Sequence, residues 1–330
     1  MLIEESQLTL ANVDLGTLSE FSAMVLFGNA FCHRLTRGTK LIGIREIKDA
    51  ADRALYPANF MTHLRVPSQR PLADFAVWDP VAVGVDVHSF GRMILDSLCV
   101  LARPGEISSD SQRWEAAGHP SMRIGTLFIV DGQREDAEAS APREGHLAEL
   151  PALTEMPDVV ARFGEVQVQG ARLKEYDGKL VTDKPIAYQL LADRDVAAGH
   201  AVMFATFIRI MDLAERQLLA QRLFPPFHQE LLNRRAVLER ETFYLSNCFA
   251  GDTLLIDIKG KILPCPANLQ TSSPELVPVA LLEFVLELYQ AERNALIAVS
   301  RVKKLLIVPR TMKTARREAE RALYQYGSDK

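Results

Sequence analysis

Apolar positions recur at helical spacing near the beginning of the chain. Between about Leu18 and Leu35 they fall every three or four residues, which is typical of a helix that is covered on most sides. Thr17-Leu18-Ser19-Glu20 fits a capping box, in which the Thr17 hydroxyl accepts from the third helical amide and Glu20 reaches back. The pattern therefore predicts a long first helix with Thr17 as its N-cap.

A second stretch with the same spacing runs from Val196 to about Leu223. Asp195 stands before it as a candidate N-cap, and Pro225-Pro226 ends it. Extended segments, most of them alternating apolar and polar positions, predict strands between and after the two helices. They are Ala58–Val66, 75–87, Met93–Leu101, Ser121–Asp131, Val159–Val168, Ala236–Asn247, Thr253–Ile262, Val279–Gln290 and Asn294–Val308.

The order of a long helix followed by several long strands occurs twice, about 180 residues apart, which suggests a duplicated domain. We expect an α+β protein with an N-terminal domain at 1–150 and a C-terminal domain at 151–330. One helix wrapped by one antiparallel sheet is a hot-dog arrangement, and two in one chain would form a double hot dog. Periodicity alone leaves other α+β layouts open.

The composition is that of a globular chain. Of its 330 residues 48% are hydrophobic, and 38 Lys and Arg face 42 Asp and Glu, for a net charge of −4. This balance disfavours disorder and a strongly basic nucleic-acid binder. We see neither a run of about 18 apolar residues nor a basic leader, so we expect no membrane span, no signal peptide and a cytoplasmic location. The last 30 residues carry nine basic and three acidic side chains. This excess of positive charge is typical of a solvated helix or of a docking surface for an acidic partner.

Motifs for metals and cofactors are absent from the sequence. The four cysteines, Cys32, Cys99, Cys248 and Cys265, form no CxxC pair, and the seven histidines form no HExxH cluster. We expect free thiols and no bound metal. Neither a Gly-x-Ser-x-Gly elbow, a phosphate-binding loop nor a dinucleotide fingerprint is present, which disfavours serine hydrolases, kinases and nicotinamide enzymes. The sequence therefore predicts no cofactor.

Several segments resemble the family of the leinamycin bifunctional acyltransferase/decarboxylase and its relatives from biosynthetic clusters. The segments are Leu18-Ser19-Glu20 with Phe27-Gly28-Asn29, Leu55-Tyr56-Pro57-Ala58-Asn59-Phe60, Asp195 to Ala205, and Arg234-Arg235 through Phe243-Tyr244 to Asn247. The resemblance implies a double hot dog that acts on thioesters of coenzyme A and of acyl carrier protein. Ala197-Ala198 and Met203 depart from the polar residues of the family's second helix, which puts the second site and the exact reaction in question.

Candidate site residues of the first half cluster around the first helix. Tyr56 is the first candidate for a catalytic hydroxyl, acting as an acid or positioning the acyl group, with Asn59 nearby. Asn29, expected to be a buried amide, is a second catalytic candidate, and Gly28 beside it suggests close approach of a ligand or a neighbouring element. A tyrosine that ties down a loop and an asparagine used in packing are the structural alternatives.

Candidates of the second half lie near the second helix. His200 is a potential general base, and Asp195 and Gly199 would contact substrate at the start of that helix. Tyr244 and Asn247 lie on a predicted strand that would line the second groove. A surface histidine and a capping aspartate are the alternatives.

The leading hypothesis is an acyltransferase or decarboxylase of polyketide-type secondary metabolism. It would bind an acyl-CoA and work with an acyl carrier protein, as a monomer or a homodimer, without nucleic acid or membrane as partner. A thioesterase or dehydratase on the same scaffold is one alternative. A catalytically silent module that binds the carrier protein is another.

Overall fold

The computed structural model describes most of the chain. The described residues are 1–9, 13–14, 17–131, 138–169, 173–195, 202–222, 234–266, 269, 271, 273–313, 316–317, 321–322 and 326. The helices are α1 (Glu20–Thr36), α2 (Asp158–Gln169) and α3 (Phe204–Arg222). The strands are β1 (Leu2–Gln7), β2 (Val13–Asp14), β3 (Thr17–Leu18), β4 (Leu55–Arg65), β5 (Pro80–Phe90), β6 (Ile94–Ala102), β7 (Ser121–Val130), β8 (Leu180–Val181), β9 (Ile186–Gln189), β10 (Arg235–Tyr244), β11 (Thr253–Pro264), β12 (Leu276–Gln290) and β13 (Ala295–Pro309).

Most predicted elements are confirmed within a few residues, with two corrections at helices. The N-cap of α1 is Ser19, whose hydroxyl accepts from the Ser22 amide at 3.1 Å, and Thr17 lies in the short strand β3. Glu20 does not complete a capping box because its carboxylate pairs with Arg240. The predicted strand at 159–168 is wrong, because this segment forms α2.

One antiparallel sheet runs through the described residues, with strand order β1-β5-β6-β7-β4-β10-β13-β12-β11-β8 and with β9 also paired to β11. Strands β1 and β4–β7 therefore form one half of the sheet, and strands β8–β13 form the other. The halves meet where β4 pairs with β10, from Arg65 opposite Glu239 to Met61 opposite Phe243. We call this pairing the seam. The division at 150/151 remains a prediction.

The sheet has helices on both faces. Buried side chains of α1 and α3 share one large apolar core with one face of the strands, which we call the inner face. On the outer face, α2 packs over the seam, where Val159 and Phe163 contact a small cluster that contains Met61 and Phe243. The spacing of these α2 residues is helical, which explains why this segment is not a strand.

The two inner helices run antiparallel to each other. Gly28 of α1 meets Phe204 at the beginning of α3, whereas Glu20 of α1 and Glu215 of α3 share Arg240 as a partner. None of the helices in the described ranges is both long and apolar enough to cross a membrane. Of the basic C-terminal segment, 314–315, 318–320, 323–325 and 327–330 lie outside the described residues.

Candidate functional site

The Asp195 side chain makes several hydrogen bonds and an ion pair near the start of α3. It is 1% exposed, accepts from the Leu191 amide at 2.9 Å and from the Tyr188 hydroxyl at 3.1 Å, and forms an ion pair with Arg209. The described part of α3 begins at Phe204, so Asp195 does not cap it. Its carboxylate instead bonds the turn that precedes it and the second turn of α3. The predicted capping role is therefore wrong.

Arg209 connects Asp195 to the first inner helix. Its guanidinium lies 6.0 Å from the centre of the Phe21 ring of α1 and donates to the Tyr188 hydroxyl at 3.4 Å. Burial raises the pKa of Tyr188, and the hydrogen bond to Asp195 raises it further. Tyr188 therefore stays protonated near neutral pH and serves as a donor. The arrangement fixes the Asp195 carboxylate against α3.

Tyr244 fixes the beginning of α3 to the seam. Its hydroxyl lies 3.2 Å from the Thr62 hydroxyl and donates to the Phe204 carbonyl at 3.4 Å. Its ring lies 5.4 Å from that of Phe207, and burial raises its pKa well above the usual range. These contacts give Tyr244 a structural position within the core. Asn247 is half-buried beyond the end of β10, which stops at Tyr244 and so does not reach the predicted limit.

Gly28 is explained by the crossing of the inner helices. A Cβ added there would lie 2.9 Å from Cε1 of Phe204, so the close approach expected at this glycine is that of α3. Asn29 follows about 100° further around the helix and is exposed. The burial predicted for Asn29 is wrong because this position faces away from α3 and the core.

Tyr56 and Asn59 both lie on β4. Burial raises the pKa of Tyr56 to about 12, with Cys32 and Asp131 contributing. Asn59 accepts a 2.8 Å hydrogen bond from the buried Thr126 hydroxyl. Positions 56 and 59 are three apart in a regular stretch of strand, so their side chains point to opposite faces of the sheet. His200 and Gly199 lie outside the described residues.

Sequence reasoning missed a buried ionic cluster on the inner face. It consists of three acids and three bases, namely Glu20, Asp212, Glu215, Arg235, Arg240 and Lys304. Glu215 is fully buried and lies 2.6 Å from Arg240 and 2.7 Å from Lys304. Burial alone would raise the pKa of Asp212, but Lys304 and Arg235 hold it well below its usual range. The cluster joins both inner helices to β10 and β13.

The outer face holds a second group of charged side chains, around His63. This histidine is 6% exposed, and its Nε2 lies 2.9 Å from Glu239 while its Nδ1 lies 3.4 Å from Arg162 of α2. The hydrogen bond with His63 and the nearby Lys303 lower the pKa of Glu239 to about 2. The sequence does not show these partners of His63, because they lie on a helix and a strand far along the chain.

The described residues contain no group of three His, Cys, Asp or Glu side chains arranged to hold a metal ion. The four cysteines are unpaired. Burial raises the pKa of Cys32 to about 11 and that of Cys99 and Cys248 further. These thiols are therefore poor nucleophiles near neutral pH.

Comparison with known proteins gives a likeness in fold. No protein-family model matches the sequence, and no curated protein sequence matches it either. Among solved structures, an acyl-ACP thioesterase from Bacteroides thetaiotaomicron is 14% identical with a TM-score of 0.50, covering 92% of this chain and 96% of its own. A putative oleoyl thioesterase from Lactobacillus plantarum is 8% identical with a TM-score of 0.55, covering 92% and 95%.

A third solved structure, the 12:0-ACP thioesterase from Umbellularia californica, is 10% identical with a TM-score of 0.50 and covers 92% of this chain and 93% of its own. At these identities the likeness is one of fold, and it extends over nearly the whole length of each chain. The large antiparallel sheet with two inner helices is thus a thioesterase-like hot-dog fold.

Proposed function

We propose that this protein is an enzyme that acts on acyl thioesters carried by coenzyme A or by an acyl carrier protein. The observation that carries the proposal is the full-length likeness in fold to acyl-ACP thioesterases. We further propose that the chain is a double hot dog, with α1 wrapped by the strands from β1 to β7 and α3 wrapped by the strands from β8 to β13. The antiparallel inner helices and the seam between β4 and β10 support this division.

Hydrolysis of the thioester is the reaction that the neighbours favour. Acyl transfer with decarboxylation, in polyketide-type metabolism, is the second candidate. It rests on the sequence resemblance, whose segment at 195–205 begins with Asp195 and its ion pair and hydrogen bonds. Both reactions need a polarised thioester carbonyl, so they can share a site beside the beginning of α3.

The residues proposed for the reaction would have distinct tasks. Asp195 is already bonded to Arg209, Tyr188 and the Leu191 amide, so it would position the segment that enters α3 and would not take a proton itself. Tyr56 keeps its proton near neutral pH because its pKa is raised, so it would act as a donor and not as a nucleophile. His200 remains the proposed base for an attacking water.

The test is to incubate the purified chain with acetyl-, malonyl-, methylmalonyl- and long-chain acyl-CoA, with and without a holo acyl carrier protein. Mass spectrometry would follow every species. Free acid and coenzyme A in equal amounts without carrier indicate hydrolysis. An acyl group on the carrier, shortened by carbon dioxide when the donor is carboxylated, indicates transfer with decarboxylation. Absence of turnover on every donor would refute the proposal and favour the silent carrier-binding module.

Matched variants would locate the site. Asp195→Asn should lower kcat/KM at least tenfold because it removes the charge that holds Arg209. Asp193→Asn, an exposed position two residues earlier, should stay within twofold of wild type. Tyr56→Phe and His200→Gln should each lower kcat if they act as donor and base. Full activity in Asp195→Asn would place the chemistry elsewhere.

A further inference from the structure

A cleft of about 710 Å³ opens on the outer face, and we call it the α2 cleft. Its floor consists of outer-face positions of β10, β13 and β12, and its walls are α2 and the segment around Tyr176. Its volume is typical of small-molecule sites. It lies on the opposite face from the inner helices, and so apart from the proposed thioester site.

The floor of the α2 cleft shows charges of alternating sign across neighbouring strands. In one row, Arg65 faces Glu239, Glu239 faces Lys303, and Lys303 faces Glu283. In the next row, Glu241 faces Arg301. Opposite charges at such positions normally pair across the strands.

Two of these cross-strand pairs do not form, because one residue of each pairs with another partner. Glu241 forms its ion pair with Arg162 of α2 and so leaves its cross-strand neighbour Arg301. Lys303 pairs with Glu239 at 3.2 Å and so leaves Glu283. Lys261, the other cross-strand neighbour of Glu283, pairs with Asp177.

Arg301 and Glu283 therefore face the cleft without an ion pair in the described part of the chain. Arg301 lies opposite Val285, and Glu283 is two residues from Val285 on β12, so the two charged residues are diagonal neighbours. Diagonal positions lie about 7–8 Å apart at their backbones. Arg301 and Glu283 thus stand at a separation that a small molecule can bridge, and Glu165 of α2 is a further acid in the lining.

Apolar side chains line the floor of the same cleft on one side. Phe243 lies opposite Val299, Val285 is on the adjoining strand, and Val166 of α2 completes the apolar part of the wall. A ligand that reaches both charged residues would place an apolar group of moderate size there. A compact zwitterion with a hydrocarbon part fits this combination of features.

We propose that the α2 cleft binds a free α-amino acid with an apolar side chain. The carboxylate pairs with the Arg301 guanidinium, which offers two parallel N–H donors, and the ammonium group pairs with Glu283. The apolar side chain packs on Phe243 and Val299. A ligand with only one of the two charges leaves the other protein charge unpaired and binds more weakly.

The test is isothermal titration calorimetry of the full chain with L-leucine and L-phenylalanine as probes. Binding by at least one of them is expected. N-acetyl-L-leucine, which lacks the ammonium group, and L-leucinamide, which lacks the carboxylate, should each bind at least tenfold more weakly than L-leucine. Arg301→Met and Glu283→Gln should each weaken amino-acid binding at least tenfold. Lys259→Met, on the same face of β11 but outside the cleft lining, is the matched control and should bind as wild type.

Circular dichroism would verify that each variant is folded. Arg301→Lys is a milder change, because it keeps the positive charge but loses the two parallel N–H donors of the guanidinium. It should bind with an affinity between those of wild type and Arg301→Met. The proposal is overturned if neither amino acid binds, if N-acetyl-L-leucine or L-leucinamide binds as tightly as L-leucine, or if both Arg301→Met and Glu283→Gln bind as wild type. The readout needs no turnover, so it is independent of the thioester chemistry.

Discussion

Glu215 offers a direct test of how the two inner helices are held against the sheet. It projects from the middle of α3, is fully buried, and contacts Arg240 at 2.6 Å, Lys304 at 2.7 Å and Arg235 at 3.1 Å. Glu215→Gln keeps the shape of the side chain and removes one negative charge. The variant leaves three buried bases facing two acids.

The expected loss follows from burial. Removing one partner from a buried ion pair costs about 3–5 kcal/mol, because the remaining charge is left without compensation. Unfolding entropy is about 2.1 cal/mol/K per residue, so for 330 residues a loss of this size lowers Tm by roughly 4–7 °C. Glu46→Gln, at an exposed position, should change Tm by less than about 1 °C.

Scanning calorimetry at pH 7 would measure these shifts, and a second substitution shows whether charge balance is the cause. Glu215→Gln combined with Lys304→Met removes one charge of each sign, so the double variant should lose less stability than the sum of the two single changes. Additive effects, or a Tm shift of Glu215→Gln no larger than that of Glu46→Gln, would refute the reasoning.

Three further predictions follow from packing and from shifted pKa values. Gly28→Ala should lower the free energy of unfolding, measured in urea, by about 1–3 kcal/mol, because the added methyl group contacts Phe204. Combining it with Phe204→Leu should restore part of this loss. An unchanged midpoint of urea unfolding in Gly28→Ala would contradict the prediction. The pKa of Glu239 is lowered to about 2, so its stabilising contribution is lost as pH falls from about 4.5 to 2, and Glu239→Gln should have a flatter Tm profile there. Cys99 and Cys248 should react with a thiol reagent at pH 8 only after unfolding.

The sequence was sufficient for the elements whose periodicity is long and regular. The helix around Phe27 and the long strands of the second half are confirmed within a few residues, because burial of one face imposes a regular spacing. Segment 159–168 shows the limit. Val166-Gln167-Val168 alternates as a strand would, but Val159, Phe163 and Val166 lie at helical spacing and cover a small cluster on the outer face.

The candidate site was harder to predict because its contacts join distant parts of the chain. The sequence offers Asp195 as a candidate site residue, but its bonds to Tyr188 and Arg209 depend on how a loop folds back on α3. Gly28 was identified as a place of close approach, but which element approaches is decided by the crossing of α1 and α3. A hydrophobic pattern along one element indicates on which face a residue lies, but it does not identify the residue that it contacts.

The seam shows why charged side chains can be retained in the middle of this core. Thr62 and Thr242 face each other across the seam, and Thr242 contacts Ser300 at 2.9 Å, so a row of hydroxyl groups continues into the ionic cluster at Arg240. An apolar seam would pack as well in several registers, because a shift by two residues restores the same face. A row of hydroxyls that ends at Arg240 satisfies its polar groups in one register only, because a shifted strand would bury them unpaired. The polar seam therefore specifies how the two halves align.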